Sequence, residues 1–126
     1  MKGVYCLILR LEKNKDIQVG MKKMFFLKGY YVYVGSALNN LEKRIERHKS
    51  KEKKMHWHID YLLGNAKIVE IVVFETDQRV ECHLSRKIGQ IADGEIAGFG
   101  CSDCRCNSHL YYFKRRPHNI LRISSR

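Results

Sequence analysis

Hydrophobic positions along this chain fall into distinct patterns, and each predicts a different element. From Gly3 to Leu11 nearly every residue is apolar (Val4-Tyr5-Cys6-Leu7-Ile8-Leu9), as in a central strand covered on both faces. Alternation puts Tyr5, Leu7 and Leu9 on one face and Val4, Cys6 and Ile8 on the other. A charged turn, Glu12 to Asp16, leads to Ile17–Leu27, a short excursion or strand pair whose apolar residues need cover. Tyr30 to Val34 is a β-branched and aromatic run and predicts a second strand. Gly35-Ser36-Ala37 breaks that run with small residues, which let a backbone or ligand approach closely. The period then changes, and Leu38, Leu41 and Ile45 form an apolar stripe at helical spacing. Asn39 or Asn40 caps this helix, Glu42 sits in its first turn, and Arg44 and His48 share one face.

Farther on, His56 to Leu63 begins a short helix docked by Trp57, Tyr61 and Leu62 and closed by Gly64-Asn65. Trp57 reads as a core anchor, and His56 and His58 read as hydrogen-bonding groups flanking a site rather than as a metal pair. Ile68 to Phe74 predicts a third strand. Thr76 or Asp77 then caps a helix with Val80, Leu84, Ile88 and Ile91 on its apolar stripe and Glu81 beside it. The glycine-rich Asp93 to Gly100 lacks a following Gly-Lys-Ser/Thr and is no phosphate loop. Leu110 to Phe113 is strand-like, and Ile120 and Ile123 pin a basic tail that follows the single proline, Pro117. The expected architecture is α/β (α+β), one domain over residues 1–126. Its small mixed or antiparallel sheet has about three core strands flanked by helices.

Charge changes this picture more than composition does. The 126 residues carry 24 Lys+Arg against 13 Asp+Glu, a net charge of +11 that favours a polyanionic partner, nucleic acid foremost. Phosphate contacts are expected from Lys43, Arg47, Lys49, Lys51, Lys53 and Lys54, and from Arg115 and Arg116 in the tail. No signal peptide and no apolar run long enough to span a bilayer is present, so the expectation is a cytoplasmic protein with no membrane partner. Five cysteines cannot all pair within one chain, which fits reduced thiols. Cys101, Cys104, Cys106 and His109 are the right ligand types for structural zinc. Their spacing is cramped for four-coordinate geometry, and the alternative is buried thiols with Ser and Asp side chains satisfying a tight loop.

Tyr33-Val34-Gly35 followed by Ser36-Ala37, Leu41, Arg44 and His48 resembles the second half of the GIY-YIG endonuclease signature, and Gly3-Val4-Tyr5 resembles the first. The stretches YVYVGSA, HWHIDYLL and GFGCSDCRCNSHLYYF narrow the resemblance to a mainly archaeal branch of that superfamily, sometimes fused to endonuclease III. The two halves stand farther apart here than in the compact members. The resemblance implies a GIY-YIG-like fold and a Mg²⁺- or Mn²⁺-dependent endonuclease acting on DNA in repair or recombination, with RNA left open. It implies catalytic roles for Tyr5, Tyr33, Arg44, His48 and Glu81. One tyrosine would activate the nucleophile, Arg44 would hold the phosphate, His48 would assist proton transfer, and Glu81 would bind the metal, with Glu75 and Glu95 as alternatives. A final polar group is open among Ser36, Asp103 and Asn107. The competing expectation is a non-catalytic basic module that binds nucleic acid and partners a repair enzyme.

Overall fold

The computed structural model describes residues 2–37, 39–51, 53–101, 106–118 and 120. Gly3–Leu11 forms β1, exposed only at Arg10, so the continuous apolar run is a fully covered strand as expected. Lys15–Val19 (β2) and Lys22–Phe26 (β3) pair as a separate antiparallel hairpin that turns at Gly20, whose φ of 62° suits glycine. Gly29–Ala37 is β4, which runs antiparallel to β1 with Gly3 opposite Ala37 and Tyr5 opposite Gly35.

Here the structure corrects the expected break at Gly35-Ser36-Ala37. All three residues stay in the ladder, because β1 extends far enough to pair with each of them. The small residue serves a side chain instead of a turn. A Cβ on Gly35 would lie 2.4 Å from the Tyr5 Cζ and Oη atoms, so the phenol ring lies against bare backbone. Gly3 is small for a similar reason, since a Cβ there would lie 2.4 Å from the Phe74 carbonyl oxygen.

Leu41–Lys49 (α1) follows, capped by Asn40, whose Oδ1 accepts from the Lys43 amide at 3.0 Å. His58–Leu63 (α2) starts after Trp57, and Lys67–Glu75 (β5) pairs with the free side of β1. Glu81–Ile91 (α3) begins later than the Thr76 or Asp77 cap predicts. Thr76 instead accepts from the Gln78 amide in a local turn, and Val80 occupies the capping position. Ile91 is exposed rather than part of the buried stripe.

Gly94–Glu95 (β6) and Leu110–Phe113 (β7) extend the sheet to five antiparallel strands in the order β5-β1-β4-β7-β6, where about three were expected. A two-residue strand such as β6 is too short to show a period. The two faces of the sheet carry separate cores. Tyr5, Leu7, Leu9 and Tyr31 pack with β2, β3, α1, α2 and Phe99, whereas Val4, Cys6, Ile8 and Val34 pack with Leu84 and Ile88 of α3 and with Ile120. Each fully buried Leu or Ile contributes on the order of 1.5–3 kcal/mol. Two such layers fix β1 and β4 as the rigid frame of the site. Leu38 and Ile123 lie outside the described residues.

Candidate active site

Three elements meet at Ser36, near the end of β4. From α1, Arg44 Nη1 donates to the Ser36 carbonyl at 2.9 Å, and the Ser36 hydroxyl donates to Glu81 Oε2 of α3 at 2.7 Å. One small residue therefore holds a guanidinium and a carboxylate on the wall of the same open cleft, about 620 Å³ in volume. Tyr33, Trp57, His56 and His58 line it too, so the two histidines do flank the cleft. Glu81 Oε1 lies 3.1 Å from His109 Nδ1. Burial alone would raise the Glu81 carboxyl, but the His109 and Ser36 hydrogen bonds and the Arg44 charge hold it below the usual range as an anion.

Tyr33 and Tyr5 project from the same face of β4 and β1, with ring centroids 6.4 Å apart. Only Tyr33 lines the cleft. Tyr5 is buried behind it with its hydroxyl 2.6 Å from His48 Nε2. Burial raises the pKa of both phenols. Arg44 opposes this at Tyr5, while the Tyr5 and Glu81 charges reinforce it at Tyr33. His48 is 2% exposed, and burial, then the Lys53 charge, push its imidazole down to about 4, so it is neutral at pH 7. Among the described residues, its Nδ1 has no hydrogen-bond partner. His48 thus meets the site through Tyr5 rather than through the cleft.

The basic residues divide into two groups. Lys43, Lys49, Lys51, Lys54 and Arg115 are exposed. Arg47, Lys53 and Arg116, expected at phosphates, make contacts within the protein. Arg47 binds Asp60 bidentately at 2.8 and 2.9 Å, Lys53 Nζ donates to the Arg47 and His48 carbonyls at the end of α1, and Arg116 reaches Glu70 at 3.2 Å. Asp60, 0% exposed, also accepts from the His56 and Trp57 amides. Burial would raise its carboxyl, but Arg47 and these two amides outweigh it and bring it down to about 2. Nothing in the local sequence around Asp60 distinguishes this buried hub from an ordinary acid on a helix.

The expected metal ligands regroup. Cys106 and His109 come together with Cys82 of α3, and one ligand atom from each lies within 4.8 Å of the others, a cluster able to hold a metal ion. Cys101 is outside that trio, its thiol donating to the Phe99 carbonyl at 3.4 Å, and Cys104 and Asp103 lie outside the described residues. Cys82 was legible only as a thiol beside Glu81, because its partners stand far along the chain. Glu75 and Glu95 are exposed strand residues outside the cleft lining, and Asn107, exposed in the segment before β7, is outside it too, whereas Ser36 is in it. Arg79, also in the cleft wall, carried no signal in the sequence.

An antiparallel α+β sheet with an Arg–Ser–Glu cleft at one strand end defines the class of protein. The chain belongs to the family described as a domain of unknown function, DUF123, whose model matches residues 4–125 and so includes Tyr33, Ser36, Arg44 and Glu81 of the cleft. No curated protein and no solved structure matches the chain. Among the described residues, no helix is long and apolar enough to cross a membrane.

Proposed function

We propose that this chain is a metal-dependent DNA endonuclease of the GIY-YIG type. One observation carries the reading: Ser36 couples Arg44 and Glu81 through its carbonyl and hydroxyl, and so joins a phosphate-binding cation to an anionic carboxylate in one cleft. Phosphodiester hydrolysis needs both, a donor for the non-bridging oxygens and a carboxylate that can hold a divalent cation. A carboxylate has about four lone-pair sites, and His109 and Ser36 engage one on each oxygen of Glu81. The remaining sites and the Ser36 hydroxyl are hard oxygen donors, which fit Mg²⁺ or Mn²⁺ better than a softer ion. When bound, such an ion neutralises charge on the phosphate and acidifies a coordinated water.

The protein's own groups do the rest. Arg44 clamps the phosphate, held in orientation by Ser36 and by Trp57, whose ring centroid lies 4.4 Å from its guanidinium carbon. Tyr33, kept protonated by burial, donates a hydrogen bond to the phosphate or the departing oxygen. Tyr5 and His48 act as a pair behind it that fixes the ring layer. Lys43, Lys49, Lys51, Lys54 and Arg115 supply salt-dependent backbone contacts.

The raised pKa of both phenols favours a second reading, a nucleic-acid-binding module without a general base. The deciding experiment incubates supercoiled, single-stranded, flapped and branched DNA, and a matched RNA, with wild type, Arg44→Ala and Glu81→Gln, with and without Mg²⁺ or Mn²⁺. Metal-dependent cutting that both variants lose supports the nuclease. Binding without cutting on every substrate establishes the second reading instead.

A further inference from the structure

Cys82 and His109 stand 27 positions apart in the chain, yet Cys82 Sγ lies 3.8 Å from His109 Nε2. Cys106 completes a trio whose ligand atoms are all within 4.8 Å of one another. Tetrahedral zinc, with Zn–S near 2.3 Å and Zn–N near 2.0–2.1 Å, sets its ligands about 3.5–3.8 Å apart, so a slight contraction closes the site. The imidazole is also oriented for this role. Its Nδ1 faces two acceptors, Glu81 Oε1 at 3.1 Å and the Val34 carbonyl at 3.2 Å, so the proton sits on Nδ1 and the Nε2 lone pair is directed toward the sulfurs. A histidine that ligates a metal through one nitrogen usually donates the other N–H to a carboxylate or carbonyl in just this way.

We propose that Cys82, Cys106 and His109 form a zinc site whose histidine is oriented by Glu81, the same carboxylate that lines the cleft. The two thiols release their protons to solvent as the metal binds. Thiolate and imidazole donors select zinc over the hard ions that suit the cleft, and the three ligands found among the described residues fall short of the four that an iron–sulfur cluster takes. Three protein ligands leave the fourth tetrahedral position to water or a further donor. A different chemistry shares part of this geometry, since a thiol near the start of a helix, hydrogen-bonded to His and then to Glu, also describes an activated nucleophile. Cys106 favours the metal, because it adds a third ligand atom of suitable type within 4.8 Å of the other two. The zinc site is independent of the nuclease reading. It ties the start of α3 to the segment entering β7, and so fixes Glu81 whatever Glu81 does.

The test uses the full chain supplied with ZnSO₄ and then dialysed, with metal content measured and Co²⁺ substituted for spectroscopy. About one zinc per chain is expected, with a thiolate-to-cobalt charge-transfer band and tetrahedral ligand-field absorption. Cys82→Ser and Cys106→Ser should each lose the stoichiometric zinc and weaken that band. Glu81→Gln, which keeps the side chain's shape, should retain the metal but bind it roughly 10- to 100-fold more weakly in a chelator competition. Unchanged affinity in Glu81→Gln overturns the orienting role. Absence of zinc from wild type, or zinc retained by the Cys82→Ser/Cys106→Ser double variant, overturns the site. Selective alkylation of Cys82 in zinc-supplied protein overturns it too, and assigns the trio to the nucleophile.

Discussion

Arg44 and Arg47 leave the same helix less than a turn apart and lie over the same indole, at 4.4 and 4.3 Å from the Trp57 ring centroid, yet their surroundings set them opposite tasks. Arg47 meets a fully buried carboxylate, and both of its terminal nitrogens are engaged by Asp60. Arg44 meets neutral groups, donating to the Ser36 carbonyl and lying beside the Tyr5 hydroxyl, and stands on the cleft wall. A guanidinium whose fork is filled by a buried acid is part of the scaffold, and one held by neutral groups can still receive a phosphate. The residue type does not separate binding from bracing. The partner does.

The largest effect should come from breaking the brace. Asp60→Ala leaves the Arg47 charge and two amides without their acceptor, and urea unfolding should show a loss of about 3–5 kcal/mol. Arg44→Ala sharpens the contrast, because under the proposed nuclease function cleavage should fall roughly 100-fold or more while the urea midpoint stays near wild type. An equal loss of stability in both variants would erase the distinction. Gly35→Ala tests the frame beneath the two arginines. Its new methyl meets the Tyr5 ring, and calorimetry should register a loss of about 1–3 kcal/mol.

Titration separates the layers further. An unfolded histidine protonates near 6.5, whereas His48 does so at about 4, so the unfolded state takes up the extra proton in between. Stability should therefore fall as pH drops from about 6.5 towards 4, and His48→Gln should flatten that slope. Asp60 acts lower. Its depressed carboxyl stabilises the fold above about 4, and that contribution disappears as pH falls towards 2. The smallest effects belong to the exposed lysines. Under the proposed function, replacing Lys49, Lys51 or Lys54 by Ala should each lower the salt dependence of DNA binding by about one unit of slope or less and leave cutting of bound DNA unchanged.

Legibility in the sequence followed the range of the interaction. The bounds of β1 and β7 and a helix cap at Asn39 or Asn40 rest on local pattern, and each was readable, with Asn40 the one that caps. Arg44 and Glu81 were readable as candidates, but their shared contact with Ser36 was not, because it joins three distant elements. Asp60 and Cys82 carried no periodic signal, since their importance comes from burial and from partners remote in the chain. Arg47, Lys53 and Arg116 were readable as cations, but their acceptors, Asp60, the carbonyls at the end of α1 and Glu70, were not. Sequence reports a charge without the group that neutralises it.

The Tyr5 ring resting on Gly35 gives the fold an unusual rule of inheritance. The volume that any side chain at position 35 would claim belongs to an aromatic on the neighbouring strand, so the two positions behave as one hereditary character split between two stretches of gene. A library randomised at position 35 alone should return glycine among its folded members. Larger residues become admissible only when position 5 is released in the same library, and then at the expense of the contact with His48.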